Sequence, residues 1–151
     1  MKIAKIMFPT DFSEGMTHAR EHALYIAEAL GAKVSILHAI EPLDSDGIDD
    51  EIRDFYEALE AKMAEKMADE REHFEGRGIE IETDIIIGER WKVINSVASE
   101  RGIDLIVIGS HGITTTTGEI SVGTTSHKVM FTSPCPVLVV RRDITHDAHE
   151  E

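Results

Sequence analysis

Two short clusters of glycine and hydroxyl residues carry the chemistry that this sequence offers. The first is Gly109-Ser110-His111-Gly112 and the second is Gly123-Thr124-Thr125-Ser126. Glycine lets a backbone approach an anion closely. The first cluster follows an apolar run, and the second opens a helical pattern. A helix start supplies unpaired N–H groups and partial positive charge, and the hydroxyls add donors. The chemistry is that of a phosphate cradle. Gly118 to Thr125 reads G-x-x-x-x-G-T-T, which lacks the lysine of a P-loop. No G-x-G-x-x-G follows the first strand, so the usual dinucleotide signature is absent as well.

Other reactive side chains are sparse. Asp11 follows an apolar run and Pro9, where a carboxylate can accept hydrogen bonds from a ligand or simply close a turn. His111 can touch phosphate, but no acid, base or metal cluster accompanies it, so no catalytic role is expected. His18 and His22 lie one helical turn apart without further ligands and read as solvated helix residues. His146 and His149 fall in the tail. Cys135, between two prolines, reads as a small buried hydrophobe. Carboxylates for Mg²⁺ are limited to Asp11 and Glu119, which leaves a phosphoryl-transfer enzyme, at most a slow ATPase, with little support.

Composition narrows the classes. The 151 residues suit one domain, and 42% are hydrophobic, enough for a core. No apolar run reaches the roughly 18 residues that span a bilayer. No secretory leader pattern is present, and a single cysteine cannot form an internal disulfide, so a cytoplasmic location is expected. The net charge of −14 repels phosphate backbones, which argues against nucleic acid as a partner. The same charge means that a nucleotide site must draw on backbone N–H groups and helix termini rather than a basic funnel.

The elements that must position these residues alternate. Ile3 to Phe8 reads as a buried strand, and Ser13 as the N-cap of a helix carrying Ala19, Ala23, Ile26, Ala27 and Leu30. Gly31 ends that helix, and Val34 to Ile40 is a second strand. Ile52, Phe55, Leu59, Met63 and Met67 form the apolar stripe of a long acidic helix that closes at Gly76-Arg77-Gly78. Ile79 to Ile85 alternates with Glu80, Glu82 and Asp84, as a strand with one wet face near a sheet edge does. A short helix follows Gly88 and carries Trp91, Ile94, Val97 and Ala98. Ile103 to Ile108 is a strand, residues 109–123 a loop, and Val137 to Val140 a last strand after a final helix. This alternation predicts an α/β domain over residues 1–142, a Rossmann-like five-stranded parallel sheet with helices on both faces. Residues 143–151 read as an acidic tail. Val137 to Val140 is apolar on both parities, which an exposed edge would not be. A homodimer pairing through that strand is expected.

The stretch from Ile108 to Val140 reads I-G-S-H-G, a polar loop, G-T-T-S-H-K-V, then S-P-C-P-V-L-V-V. It resembles the C-terminal signature of the universal stress protein family. Ile6-Met7-Phe8-Pro9-Thr10-Asp11-Phe12-Ser13 resembles the family's first strand, and Val34 to Ile40 its second. The ATP-binding pattern of that family is G-x2-G-x9-G-(S/T). Gly109, Gly112 and Gly123-Thr124 fit it with ten residues instead of nine before Gly123. The resemblance implies strand order 3-2-1-4-5, with a crevice between strands one and four. It implies that Pro9, Thr10 and Asp11 border the ribose or adenine and that Ala39 meets the adenine edge. It assigns the phosphates to Gly109, His111, Gly112, Gly123, Thr124 and Thr125. The implied ligand is ATP or AMP, with or without Mg²⁺, in a non-enzymatic stress-response role. The extra loop residue and the negative charge keep a second reading open, a nucleotide-independent interaction module of the same fold.

Overall fold

Apolar residues on both parities of a strand require cover on both faces, and the fold supplies it. The computed structural model describes residues 1–43, 50–110, 112–113, 120–121 and 124–141, with the backbone alone for 112–113, 120–121 and 124. In β1 (Lys5–Pro9), Ile6 and Phe8 join one core while Met7 joins the other. The first core receives Ala19, Ala23 and Ala27 of α1 (Thr17–Leu30) and Met67 of α2 (Asp50–Glu72). The second receives Val93, Ile94 and Val97 of α3 (Arg90–Glu100) and Val129 of α4 (Thr124–Thr132). Full burial of side chains such as these stabilises the fold by roughly 1.5–3 kcal/mol each.

The remaining strands are β2 (Lys33–Ile40), β3 (Ile81–Ile87), β4 (Leu105–Ser110) and β7 (Val137–Arg141). Every pairing in the main sheet is parallel, in the order β3-β2-β1-β4-β7. Counting the strands of this sheet alone, the order is 3-2-1-4-5, as expected. Between β4 and α4, a small antiparallel ribbon joins β5 (Gly112–Ile113) to β6 (Ile120–Ser121), where only a loop was expected. Hydroxyl and glycine residues mask so short a pairing in a sequence pattern.

Several local readings change. Ser13 does not cap α1 with its side chain. A 3₁₀ turn, Glu14–Met16, precedes the helix, which begins at Thr17. Gly31 takes φ +65° at the C-cap of α1, as expected. The long helix ends at Glu72 rather than at the Gly76-Arg77-Gly78 stretch, because the chain turns so that Phe74 is fully buried against Phe8, 5.8 Å between ring centres. The stripe on α2 is buried from Met63 onward, whereas Phe55 is 49% exposed. β3 lies at the sheet edge, as expected, but its acidic face is half-covered. Arg101 reaches across it to Glu82 and grips Asp84 through two nitrogens, each at 2.8 Å. Burial pushes the Asp84 carboxyl above its usual range. Cys135 is half-buried rather than buried. β7 occupies the other edge, with Val137, Leu138 and Val139 half-buried and Val140 buried.

Candidate functional site

The site begins with topology. β1 and β4 are adjacent and parallel, with Ile6 opposite Leu105 and Met7 opposite Ile106. The chain leaving β1 turns to the α1 face, and the chain leaving β4 runs toward α4 on the opposite face. Their carboxyl ends therefore part and leave a crevice, as at a topological switch point. Its volume is about 830 Å³, a size that small-molecule sites share.

The wall formed by the end of β1 is built by local bonds. The Thr10 N–H donates to the Leu37 carbonyl at 2.9 Å, which extends the β1–β2 ladder by one step. Thr10 Oγ1 then accepts from the Phe12 N–H at 3.0 Å, and Asp11 Oδ1 accepts from the Ser13 N–H at 2.9 Å. Phe12 holds φ +64°, which costs a non-glycine residue about 1 kcal/mol or more. The two side-chain bonds, one on either side of it, offset that strain. Beneath this turn lies His38, 8% exposed. Its Nδ1 lies 2.8 Å from the Thr10 carbonyl oxygen, and its ring packs 4.5 Å from the Phe12 ring. Burial moves the His38 pKa below its ordinary value. The Thr10 bond and Asp11 oppose the shift, while Arg90 and Lys66 add to it.

The floor is apolar, formed by Leu37, Ala39, Ile94 and Ile108. Hydroxyl residues also line the crevice: Thr10, Ser13, Ser110, Thr125 and Ser126, of which Thr10, Ser110 and Ser126 are buried. Thr125 and Ser126 stand in the first turn of α4, so the N-terminal end of that helix borders the crevice. Gly109 lets the end of β4 lie close to Met16. A Cβ there would come 3.2 Å from the Met16 sulfur.

Four carboxylates line the crevice: Asp11, Glu14, Glu41 and Glu89. Two cations stand among them. Arg90 Nε lies 3.7 Å from Glu41, and Lys128 Nζ lies 3.9 Å from Glu89. Glu89 also accepts from the Trp91 ring N–H at 2.8 Å and pairs with Lys92 at 3.0 Å. Bonds from Lys92 and Trp91 hold the Glu89 carboxyl below its usual range. Among the described residues no group of three His, Cys, Asp or Glu side chains could hold a metal ion. His22 instead bonds the His18 carbonyl at 2.7 Å.

The crevice brings together Pro9, Thr10, Asp11, Ala39, Gly109 and Thr125 of the predicted residues. Gly112 lies in β5, and Thr124 is the first residue of α4. His111 and Gly123 lie outside the described residues. Asp11 closes a turn through the Ser13 N–H and also lines the crevice. Arg90 and Lys128 line the crevice too, but carboxylates outnumber them, so the crevice is no basic funnel. In the sequence, Trp91 reads as a helix residue only, on the helix after Gly88, and Arg90 is not singled out. His38 gave no signal of its own, because it sits in a strand otherwise apolar. The crevice thus joins apolar side chains, hydroxyls, carboxylates, a glycine at the end of β4 and a helix start.

Comparison with known proteins supports this placement in a family. Residues 2–141 match the model of the universal stress protein family. Universal stress protein MJ0577 of Methanocaldococcus jannaschii is 30% identical over 91% of this chain and 94% of its own. Universal stress protein YxiE of Bacillus subtilis is 33% identical over 91% and 98%. The solved structure of MJ0577 superposes with a TM-score of 0.84 at 29% identity, covering 95% of this chain and 99% of that one. More distant structures share the fold. A universal stress protein in complex with cAMP gives a TM-score of 0.72 at 23% identity, covering 95% and 100%. The Archaeoglobus fulgidus protein in complex with dAMP gives 0.65 at 21%, covering 92% and 98%. With its sheet order, its crevice and a family match over nearly its whole length, the chain belongs to the universal stress protein family.

Proposed function

We propose that this protein binds an adenine nucleotide, ATP or AMP, in the crevice between β1 and β4, and acts as a non-enzymatic regulator in stress responses. The observation that carries this reading is the convergence on one crevice of Asp11 with Gly109 and Thr125, which lie about a hundred residues further along the chain. Ala39 and its neighbours meet the base. Thr10 and Asp11 take the ribose side. Gly109, Gly112 and the start of α4, with His111, Gly123, Thr124 and Thr125, take the phosphates. Complexes of the same fold with cAMP and dAMP support a nucleotide as ligand. Mg²⁺ accompanies the triphosphate when ATP is bound. The protein works in the cytoplasm as one domain of residues 1–142, and pairs with a second copy through the open edge of β7. The test is calorimetry with ATP and AMP, with and without Mg²⁺, together with mass spectrometry of ligand released from fresh protein. Heat of binding or a co-purified adenine nucleotide is expected. Neither appearing overturns the proposal.

A second reading, a nucleotide-independent interaction module, is favoured by the four carboxylates in the crevice and by the ten residues before Gly123. Removing one threonine from residues 114–117 separates the two. If nucleotide binding appears only in the shortened chain, the interaction module is the native role.

A further inference from the structure

β1 ends at Pro9, paired with Leu37, and one further ladder bond runs from the Thr10 N–H to the Leu37 carbonyl, so His38 lies where the β1–β2 ladder gives out. It meets the chain where that chain has left the sheet. Two contacts result, and they flank Asp11. On one side the His38 ring bonds the Thr10 carbonyl, and on the other it stacks on Phe12. Asp11 is the residue between them. A carbonyl oxygen carries no proton, so the ring must present Nδ1–H. No other buried histidine occurs among the described residues, and this strand position otherwise calls for an apolar side chain.

We propose that His38 is a positioning residue for the ligand crevice, which clamps the peptides on either side of Asp11 and so aims the Asp11 carboxylate at the bound nucleotide. This rests on the nucleotide reading above and assigns a further residue to that site. The Nδ1–H bond fixes the Thr10 carbonyl, and therefore the plane of the Thr10–Asp11 peptide. The stack holds Phe12 in its left-handed conformation, which sets where Asp11 points from the other side. Asp11 thus keeps its direction without a bond from His38 to its own carboxylate being needed. Preorganisation of this kind raises affinity by removing the ordering cost from binding.

The test compares the wild-type protein with His38→Phe and His38→Asn. Phenylalanine fills the space and keeps the stack but removes the donor, whereas the asparagine amide restores a donor near Nδ1. ATP affinity measured by calorimetry should fall at least tenfold in His38→Phe and stay within threefold of wild type in His38→Asn. Binding by His38→Phe within threefold of wild type, or an asparagine variant as weak as the phenylalanine one, overturns the proposal. A wild-type protein that binds no adenine nucleotide refutes the nucleotide reading instead. The clamp is then judged without ligand. Nitrogen-15 spectra should show His38 protonated at Nδ1, and His38→Phe should speed amide exchange at Phe12 and Ser13 at least tenfold more than at Ile106. A neutral ring protonated at Nε2, or unchanged exchange at both amides, refutes the clamp.

Discussion

Asp11 is the side chain on which the ligand reading presses hardest. It closes a turn through the Ser13 N–H and lines the crevice at the same time. Asp11→Ala removes both contributions, and Asp11→Asn keeps an acceptor for the turn while losing the charge. Nucleotide affinity should fall about tenfold or more in the alanine variant, about 1.4 kcal/mol, and less in the asparagine variant. Titration of both variants checks this, and unchanged affinity in Asp11→Ala would remove Asp11 from the site. His38 makes a separate prediction about pH. Its pKa is lower in the folded chain than the ordinary 6.5. The unfolded chain therefore takes up the proton first as pH falls through 6.5. Stability contributed by the neutral ring is present above that pH and is lost as pH drops toward the folded value. Melting of wild type and His38→Asn at pH 7.5 and 5.5 should show a smaller acid-induced drop for the variant. At this scale the sequence pointed to Asp11 and Gly109 by position and type, and both line the crevice. It did not point to His38, Arg90 or Lys128, whose surroundings depend on which neighbours the packing brings to them.

Among the elements, α1 and α2 share one face of the sheet and are locked by a buried pair. Arg20 meets Glu70 through two bonds of 2.8 Å, with Glu70 5% exposed. The bidentate geometry makes this pair stronger than surface ion pairs. Glu70→Ala leaves Arg20 without its partner and should cost about 3 kcal/mol. The double replacement Arg20→Met with Glu70→Leu should recover most of that loss. Urea unfolding of the single and double variants measures both, and an additive loss in the double variant would show that the pair is not coupled. Most strands were legible because their apolar residues occur on both parities, β3 because its isoleucines alternate with acidic residues, and the order followed from the family resemblance. Less legible were the end of α2 and the ribbon β5–β6. Phe74 lies among charged and glycine residues, and nothing local indicates that the chain folds back to bury it.

For the whole molecule, net charge and the open edge of β7 pull against each other. Two copies of a chain with charge −14 repel. The proposed dimer through Val137 to Val140 should therefore tighten as salt is raised, because screening weakens the repulsion while apolar contacts persist. Light scattering across 50 mM to 500 mM salt should show a rising dimer fraction. Val139→Lys, which places a cation on the edge, should leave a monomer at every concentration examined. A salt-independent dimer, or one that survives Val139→Lys, would place the interface elsewhere. No helix among the described residues is long and apolar enough to cross a membrane.

The parallel run β1-β4-β7 also decides how the molecule carries a load. Asp104 Oδ2 accepts from the Ala4 and Lys5 N–H groups at 2.9 Å and 3.0 Å, which ties the start of β1 to the start of β4. A pull applied between Lys5 and Arg141 draws β1 and β7 in opposite directions along their axes. The rungs on both sides of β4 then resist together, in shear. A pull between Pro9 and Arg141 acts at ends on the same side of the sheet and opens the rungs one after another. Optical-tweezer handles at those two pairs should give a clearly higher rupture force for the first, and equal forces would show that the sheet does not share the strain. The strand order that opens the crevice thus also makes this protein stiff along one direction and yielding along another.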